Sequence, residues 1–336
     1  MLSSPEPAKI VSVDADHHPS GGGPNGDRFA VRARGLVKRY GDLVAVDGID
    51  FEVRYGTCLG VLGPNGAGKT TTIEILEGLK TPDGGEVEVL GRAWSEDPRA
   101  IQERIGVQLQ ETEFQDKLKV VELLRMFRSF YDDGIDLEQV VRTIGLEDKR
   151  GAFIKSLSGG QKQRLSIGCA ILSKPKILFL DEPTTGLDPH ARRRLWDVVE
   201  TFKDAGGTVV LTTHYMEEAE RLADDLIIVD HGRVIARGSP AAIIASLGAE
   251  SVVQFALAGD DPRELAEDEL NALDGVRSMR YEGTAICLSV VKTQDVIAGL
   301  FDLIKRRGLT MEDLRTHRPT LEDVFVSLTG KHLRDE

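Results

Sequence analysis

Eight consecutive residues, 63-GPNGAGKT-70, combine glycines, a lysine and a hydroxyl in the order G-x-x-x-x-G-K-[ST]. Glycine lets successive backbone N–H groups turn inward, so Gly63, Pro64, Asn65, Gly66, Ala67 and Gly68 can form an anion-binding nest. A helix starting directly after the loop adds its positive end at the same point. Lys69 can reach the terminal phosphates of a nucleotide, and the Thr70 hydroxyl, followed by Thr71, can ligate Mg²⁺. A plain glycine turn is the simpler reading, but it leaves a lysine and two hydroxyls at the helix start unexplained. The stretch reads as a phosphate site.

Two further groups could act on a bound phosphate. The run 176-KILFLDEP-183 ends an apolar strand in Asp181 and Glu182. The first acid can hold Mg²⁺ and the second can polarise an attacking water, although acids also end strands simply as loop residues. In 157-LSGGQ-161, Ser158 reads locally as a helix N-cap with Gln161 as its capping-box partner, which requires no function. Leu157, Ser158, Gly159, Gly160 and Gln161 nevertheless open a second helix whose N-terminus can face phosphate. The loop beginning at Gly63 already surrounds one side of a nucleotide, so this second surface is available to a nucleotide on another subunit.

The elements around these residues follow from patterning. TCLGVL runs unbroken into the glycine loop and KILFL into the acids, as strands buried on both faces do. TTTIEILEGL, QKQRLSIGCAILSK and the stretch from Pro189 to about Lys203 read as helices between strands, which indicates a mainly parallel α/β sheet. FAVRARGLV and GIDFEV alternate as half-buried strands and suggest an antiparallel flank. Residues 117–155 read as mostly helical. After Gly238-Ser239-Pro240 the character changes, and the order β-α-β-β-α-β over 241–336 suggests a small ferredoxin-like α+β domain. A last helix begins after Thr320, with Asp323 placed for a capping box.

Composition narrows the partners. With 42 Lys+Arg against 55 Asp+Glu in 336 residues, the net charge of −13 weighs against nucleic acid and against an anionic membrane surface. Cys58, Cys169 and Cys287 are few and widely spaced. Cys58 and Cys169 lie in apolar runs and read as buried apolar residues, and the set reads as that of a protein in a reducing cytosolic compartment. No stretch approaches the roughly 20 apolar residues of a membrane span. Residues 1–28 carry acids and no apolar core, so they read as a disordered tail rather than a signal peptide, with His17 and His18 solvated.

Taken together, LSGGQ, GPNGAGKT and LDEPTTGLDP resemble the ATP-binding subunits of ABC transporters, from Val31 to about Pro240. The resemblance implies a P-loop ABC-type nucleotide-binding domain over 29–240, with a helical subdomain at about 111–165. It implies ATP and Mg²⁺ as cofactors, and a head-to-tail dimer with two ATPs between loop and signature. Two copies of this chain are expected, with a heterodimer as the alternative. By the same resemblance Tyr40 stacks on adenine, Gln110 touches Mg²⁺ (Gln108 being the fallback), and Asp188 lies in the D-loop. His214, otherwise an ordinary surface histidine after a strand, becomes the switch residue that works with Glu182 in catalysis. The implied activity is ATP hydrolysis coupled to transport through an integral-membrane permease. That places the chain peripherally on the cytoplasmic face, with residues 111–155 gripping the permease.

The stretch 318-RPTLEDVFVSLTG-330 is similar to ATPase subunits of ABC-2-type exporters, including drug-resistance systems. Export of a small or lipid-like compound is the expectation, with a C-terminal domain that regulates or stabilises the dimer. An importer is the alternative. A soluble ABC ATPase of translation or DNA repair fits less well, because the chain has one phosphate loop, one LSGGQ and no long coiled coil. A non-transport P-loop kinase leaves LSGGQ unexplained.

Overall fold

The computed structural model describes residues 11–12, 28–109, 114–259 and 261–330. The chain divides into two compact units between Pro240 and Ala241. The first begins with β1 (Val11–Ser12), β2 (Phe29–Tyr40), β3 (Leu43–Arg54), β4 (Cys58–Leu62), α1 (Lys69–Leu76), β5 (Gly84–Val89), β6 (Arg92–Ala93), α2 (Pro98–Gln102) and β7 (Ile105–Gln108). It continues through α3 (Val120–Arg128), α4 (Leu137–Thr143), α5 (Gly159–Ile171), β8 (Ile177–Asp181), α6 (Pro189–Asp204), β9 (Thr208–Thr213), α7 (Met216–Leu222), β10 (Asp225–Asp230) and β11 (Arg233–Gly238). Helix α8 (Pro240–Ala245) crosses the junction.

The main sheet has the order β1-β11-β10-β4-β9-β8-β7, and the flanking antiparallel sheet the order β3-β2-β5-β6. This mixed arrangement with a helical layer is the α/β class expected from the strand patterns. Strands β4, β8 and β9 are buried at every residue. Their side chains alternate between two cores, as a period of two requires. Leu178, Leu180, Val209 and Leu211 pack with helical residues such as Leu123, Val140 and Leu165. Phe179 and Val210 pack on the opposite side with Phe51, Ile73 and Ile227. In β1, Val11 and Ser12 pair in parallel with Ala236 and Arg237 of β11.

Parallel pairing is what assembles the site. Leu62 at the end of β4 lies opposite Thr213, and Asp181 at the end of β8 lies opposite Thr212. Three chain reversals therefore open side by side at the carboxyl ends of adjacent strands, where α/β sheets bind ligands. Glycine is required in the loop by space as well as by φ. A Cβ on Gly63 would sit 2.2 Å from the Val229 carbonyl oxygen, and Gly68 has φ +98° with the Ala45 carbonyl oxygen equally close.

The second unit contains β12 (Ser251–Leu257), α9 (Glu267–Asn271), β13 (Val276–Glu282), β14 (Ala285–Val290), α10 (Thr293–Arg307), β15 (Met311–His317) and α11 (Leu321–Thr329). Its sheet order is β13-β14-β12-β15, all antiparallel. Val253, Phe255, Leu288, Leu300 and Ile304 form its core. Thr320 and Asp323 make the capping box that opens α11. Asp323 is buried and pairs with Arg280 at 2.7 Å. Burial alone would raise its pKa; the bonds from Arg280 and Thr320 outweigh this and hold it below the usual carboxylate range. Among the described residues, no helix is long and apolar enough to cross a membrane.

Arg280→Met would leave Asp323 buried with only the His317 ring and Thr320 as side-chain partners, which costs about 3 kcal/mol. Amide exchange across Leu321–Thr329 should accelerate accordingly, and unchanged protection there would count against a stabilising role for the pair. In the wild type this contribution is present above the ordinary aspartate pKa and is lost as pH falls through the depressed folded value.

Candidate functional site

Lys69 starts α1 and is almost fully buried. Its ammonium donates to the Pro64 carbonyl at 2.9 Å and pairs with Glu182 Oε1 at 3.1 Å. Gly63 N–H donates to the Thr213 carbonyl at 3.3 Å, which ties the loop to β9. Asn65 and Gly66 are exposed at the mouth. The Thr70 hydroxyl lies 3.3 Å from Asp181 Oδ1, and the Thr212 hydroxyl donates to the same oxygen in a short bond. Thr71 follows on the first turn of α1, half-buried.

Glu182 is held from all sides. Its backbone has φ +46°, a region that non-glycine residues avoid, and its N–H donates to the Thr212 hydroxyl at 2.9 Å. Its Oε2 lies 3.1 Å from both the Thr185 hydroxyl and His214 Nδ1. The contact with His214, aided by Lys69 against the opposing effect of burial, pulls the Glu182 pKa down to about 2. Neighbouring Asp181 moves the other way: burial raises its pKa despite the bonds from Thr212 and Thr70. Two adjacent carboxyls are thus set apart electrically. A hydroxyl and a carboxylate facing one another are hard oxygen donors, a set that suits Mg²⁺ completed by phosphate and water.

Tyr40 stands at the end of β2 with 42% of its surface exposed, and Lys80 lies 5.2 Å from its ring centroid. The stretch 157–161 forms a separate cluster. Ser158 caps α5, accepting from Gln161 N–H, while Gln161 Oε1 accepts from Ser158 N–H at 2.9 Å. Leu157 and Gly160 are buried beneath this turn, whereas Ser158 and Gly159 are exposed. Among the described residues no hydrogen bond or ion pair joins residues 157–161 to residues 63–71. Asp188 caps α6, accepting from His190 and Ala191 N–H, and these bonds, that of Ala191 foremost, lower its pKa. Gln110 lies outside the described residues. Gln108 ends β7, buried, with its amide nitrogen donating to the Leu109 carbonyl.

The family described as "ABC transporter" matches residues 46–185. Over 307 residues the chain is 39% identical to the daunorubicin/doxorubicin resistance ATP-binding protein DrrA of Streptomyces peucetius, covering 90% of this chain and 92% of that one. The chain belongs to the ATP-binding subunits of ABC transporters. It is also 40% identical over 310 residues to the Nod factor export ATP-binding protein I of Paraburkholderia xenovorans, covering 89% of this chain and 97% of that one. A solved ATP-binding subunit of an ABC transporter superposes with a TM-score of 0.59 at 29% identity, over 65% of this chain and 93% of that one. An ABC ATPase uses a nucleotide, and the buried lysine, paired acids and glycine loop are the part of this one suited to it.

Sequence reading missed three threonines that hold the site together: Thr185, Thr212 and Thr213. A signal was available in 208-TVVLTT-213, because a strand buried at every residue has little reason to carry hydroxyls unless they are bonded. Thr212→Val keeps the shape of the strand but removes the bonds to Asp181 Oδ1 and from Glu182 N–H. ATP turnover should fall at least about tenfold, while ATP affinity without Mg²⁺ stays within about threefold. Wild-type turnover would show that Thr212 does not position the acids.

Proposed function

We propose that this ABC subunit hydrolyses Mg²⁺-ATP between two copies of itself and so drives export of a small or lipid-like compound through a separate permease. The observation that carries the catalytic part is the buried Lys69–Glu182 pair, with half-buried His214 on the other carboxylate oxygen, at the ends of adjacent strands. Lys69 is shared here between Pro64 and Glu182, and a phosphate in the loop competes for it with more negative charge. Once Lys69 turns to phosphate, Glu182 loses a cation and becomes a better proton acceptor for the attacking water. His214 holds the other carboxylate oxygen and keeps Glu182 aimed. Thr70 and Asp181 would hold Mg²⁺, which would screen charge on the phosphates.

The second copy enters because the exposed Ser158 end of α5 is a phosphate-facing helix terminus that nothing in its own loop region engages. Placed over a partner's Gly63–Lys69 loop, it makes closure depend on the negative charge between them, and hydrolysis removes that charge. Asp188, capping α6, sits in the neighbouring D-loop, and Tyr40 offers the adenine face. Gln110 belongs to the same proposal as the residue between Mg²⁺ and the permease. The export direction is supported by relatives that carry resistance and export in their names, matched over 90% of the chain. A match that long runs past Pro240 into the second unit, the part for which we propose a regulatory or dimer-stabilising role.

A permease needs a place to grip. A groove of about 420 Å³ opens between β7 and the helical layer, with Leu79, Leu109, Phe114, Phe127 and Tyr131 along its walls. We assign it to a cytoplasmic helix of the permease, which puts the chain on the cytoplasmic face of the membrane.

Glu182→Gln keeps the size of the side chain but removes its charge and basicity. Turnover should fall by about 10²–10⁴-fold with ATP affinity retained, and ATP should trap a dimer visible by size-exclusion chromatography. Turnover near the wild-type rate would remove Glu182 from the catalytic role.

A further inference from the structure

On the reading that this groove receives a permease helix, one of its residues has no role so far. Glu77 follows α1 directly, lines the groove, and has only 4% of its surface exposed. Among the described residues, neither of its carboxylate oxygens has a hydrogen-bond partner. Leaving a buried carboxyl unbonded is costly, and such a group in a native protein needs an explanation.

The surroundings say what would satisfy it. Glu77 sits at the carbonyl end of α1, the negative end of the helix. Burial, together with the charges of Asp181 and Glu74, pushes its pKa up to about 8. Glu74 already has its cation, Lys80 at 2.7 Å. Among the described residues no cluster of three or more His, Cys, Asp or Glu could hold a metal ion. The negative end of α1 and the charge of Asp181 therefore favour a positive group at Glu77 over phosphate. Exposed Leu79 and Leu109 stand at the rim, so that group arrives on an apolar segment.

We propose that Glu77 is a recognition residue for the permease, receiving one lysine or arginine side chain from the apolar helix that fills the groove. A pair formed there leaves water as the helix docks, so removing either charge strands the other. Apolar rim contacts give area, and the buried pair gives the choice of partner.

The probe is the membrane subunit that the full-length wild-type chain retains through purification in detergent, identified and reconstituted in nanodiscs. Wild type, Glu77→Gln and Glu77→Lys are compared for affinity to it and for ATP binding and hydrolysis in its absence. Glu77→Gln should bind at least about tenfold more weakly and Glu77→Lys should not bind, with ATP binding and basal hydrolysis within twofold of wild type. Changing one cytoplasmic-helix lysine or arginine of the subunit to glutamate should restore binding to Glu77→Lys. Wild-type affinity in both variants, or a loss that no such reversal restores, overturns the role of Glu77 and leaves the transport reading standing. If the wild-type chain retains no membrane subunit, the transport reading fails and this inference with it.

Discussion

Lys69 and Glu182 come from different strand ends and meet in the interior, 3.1 Å apart, with almost no surface exposed. Neither charge could be buried alone without a penalty of several kcal/mol. The pair therefore obliges the loop after β4 and the turn after β8 to stay in register, and the parallel ladder through β9 supplies that register. Thr212 and Thr213 of β9 complete the link: one bonds the acids and the other accepts from the loop.

The same pair explains how such a site can wait. With Lys69 and His214 both on its carboxylate, Glu182 is a very weak base. Anything that draws Lys69 away strengthens it. Phosphate in the loop is such a competitor, so in the proposed mechanism occupancy and basicity are coupled through one lysine. Positive φ at Glu182 belongs to the same constraint: a strained backbone persists where its surroundings hold it.

Much of this was legible in the sequence because it is local. Glycines with a lysine, two acids after an apolar run, and a serine followed three residues later by glutamine each announce a loop, a strand end or a cap on their own. Burial of β4 and β8 followed from unbroken apolar runs. What was not legible depends on neighbours far away in the chain. Thr212 looks like any strand threonine until Asp181 lies opposite it in the ladder. Glu77 looks like a solvated helix-end acid until β7 and α5 wall it in.

The central claim is that one composite site is made from the loop of one copy and the Ser158 helix end of another. All three native cysteines are buried, so new thiols at exposed positions can be addressed selectively. A chain carrying Asn65→Cys, Ser158→Cys and Glu182→Gln, treated with a short bifunctional thiol reagent, reports the approach directly. Covalent dimers should form with Mg²⁺-ATP and not without it. Cross-links confined within single chains, or dimers formed equally without ATP, would contradict the account.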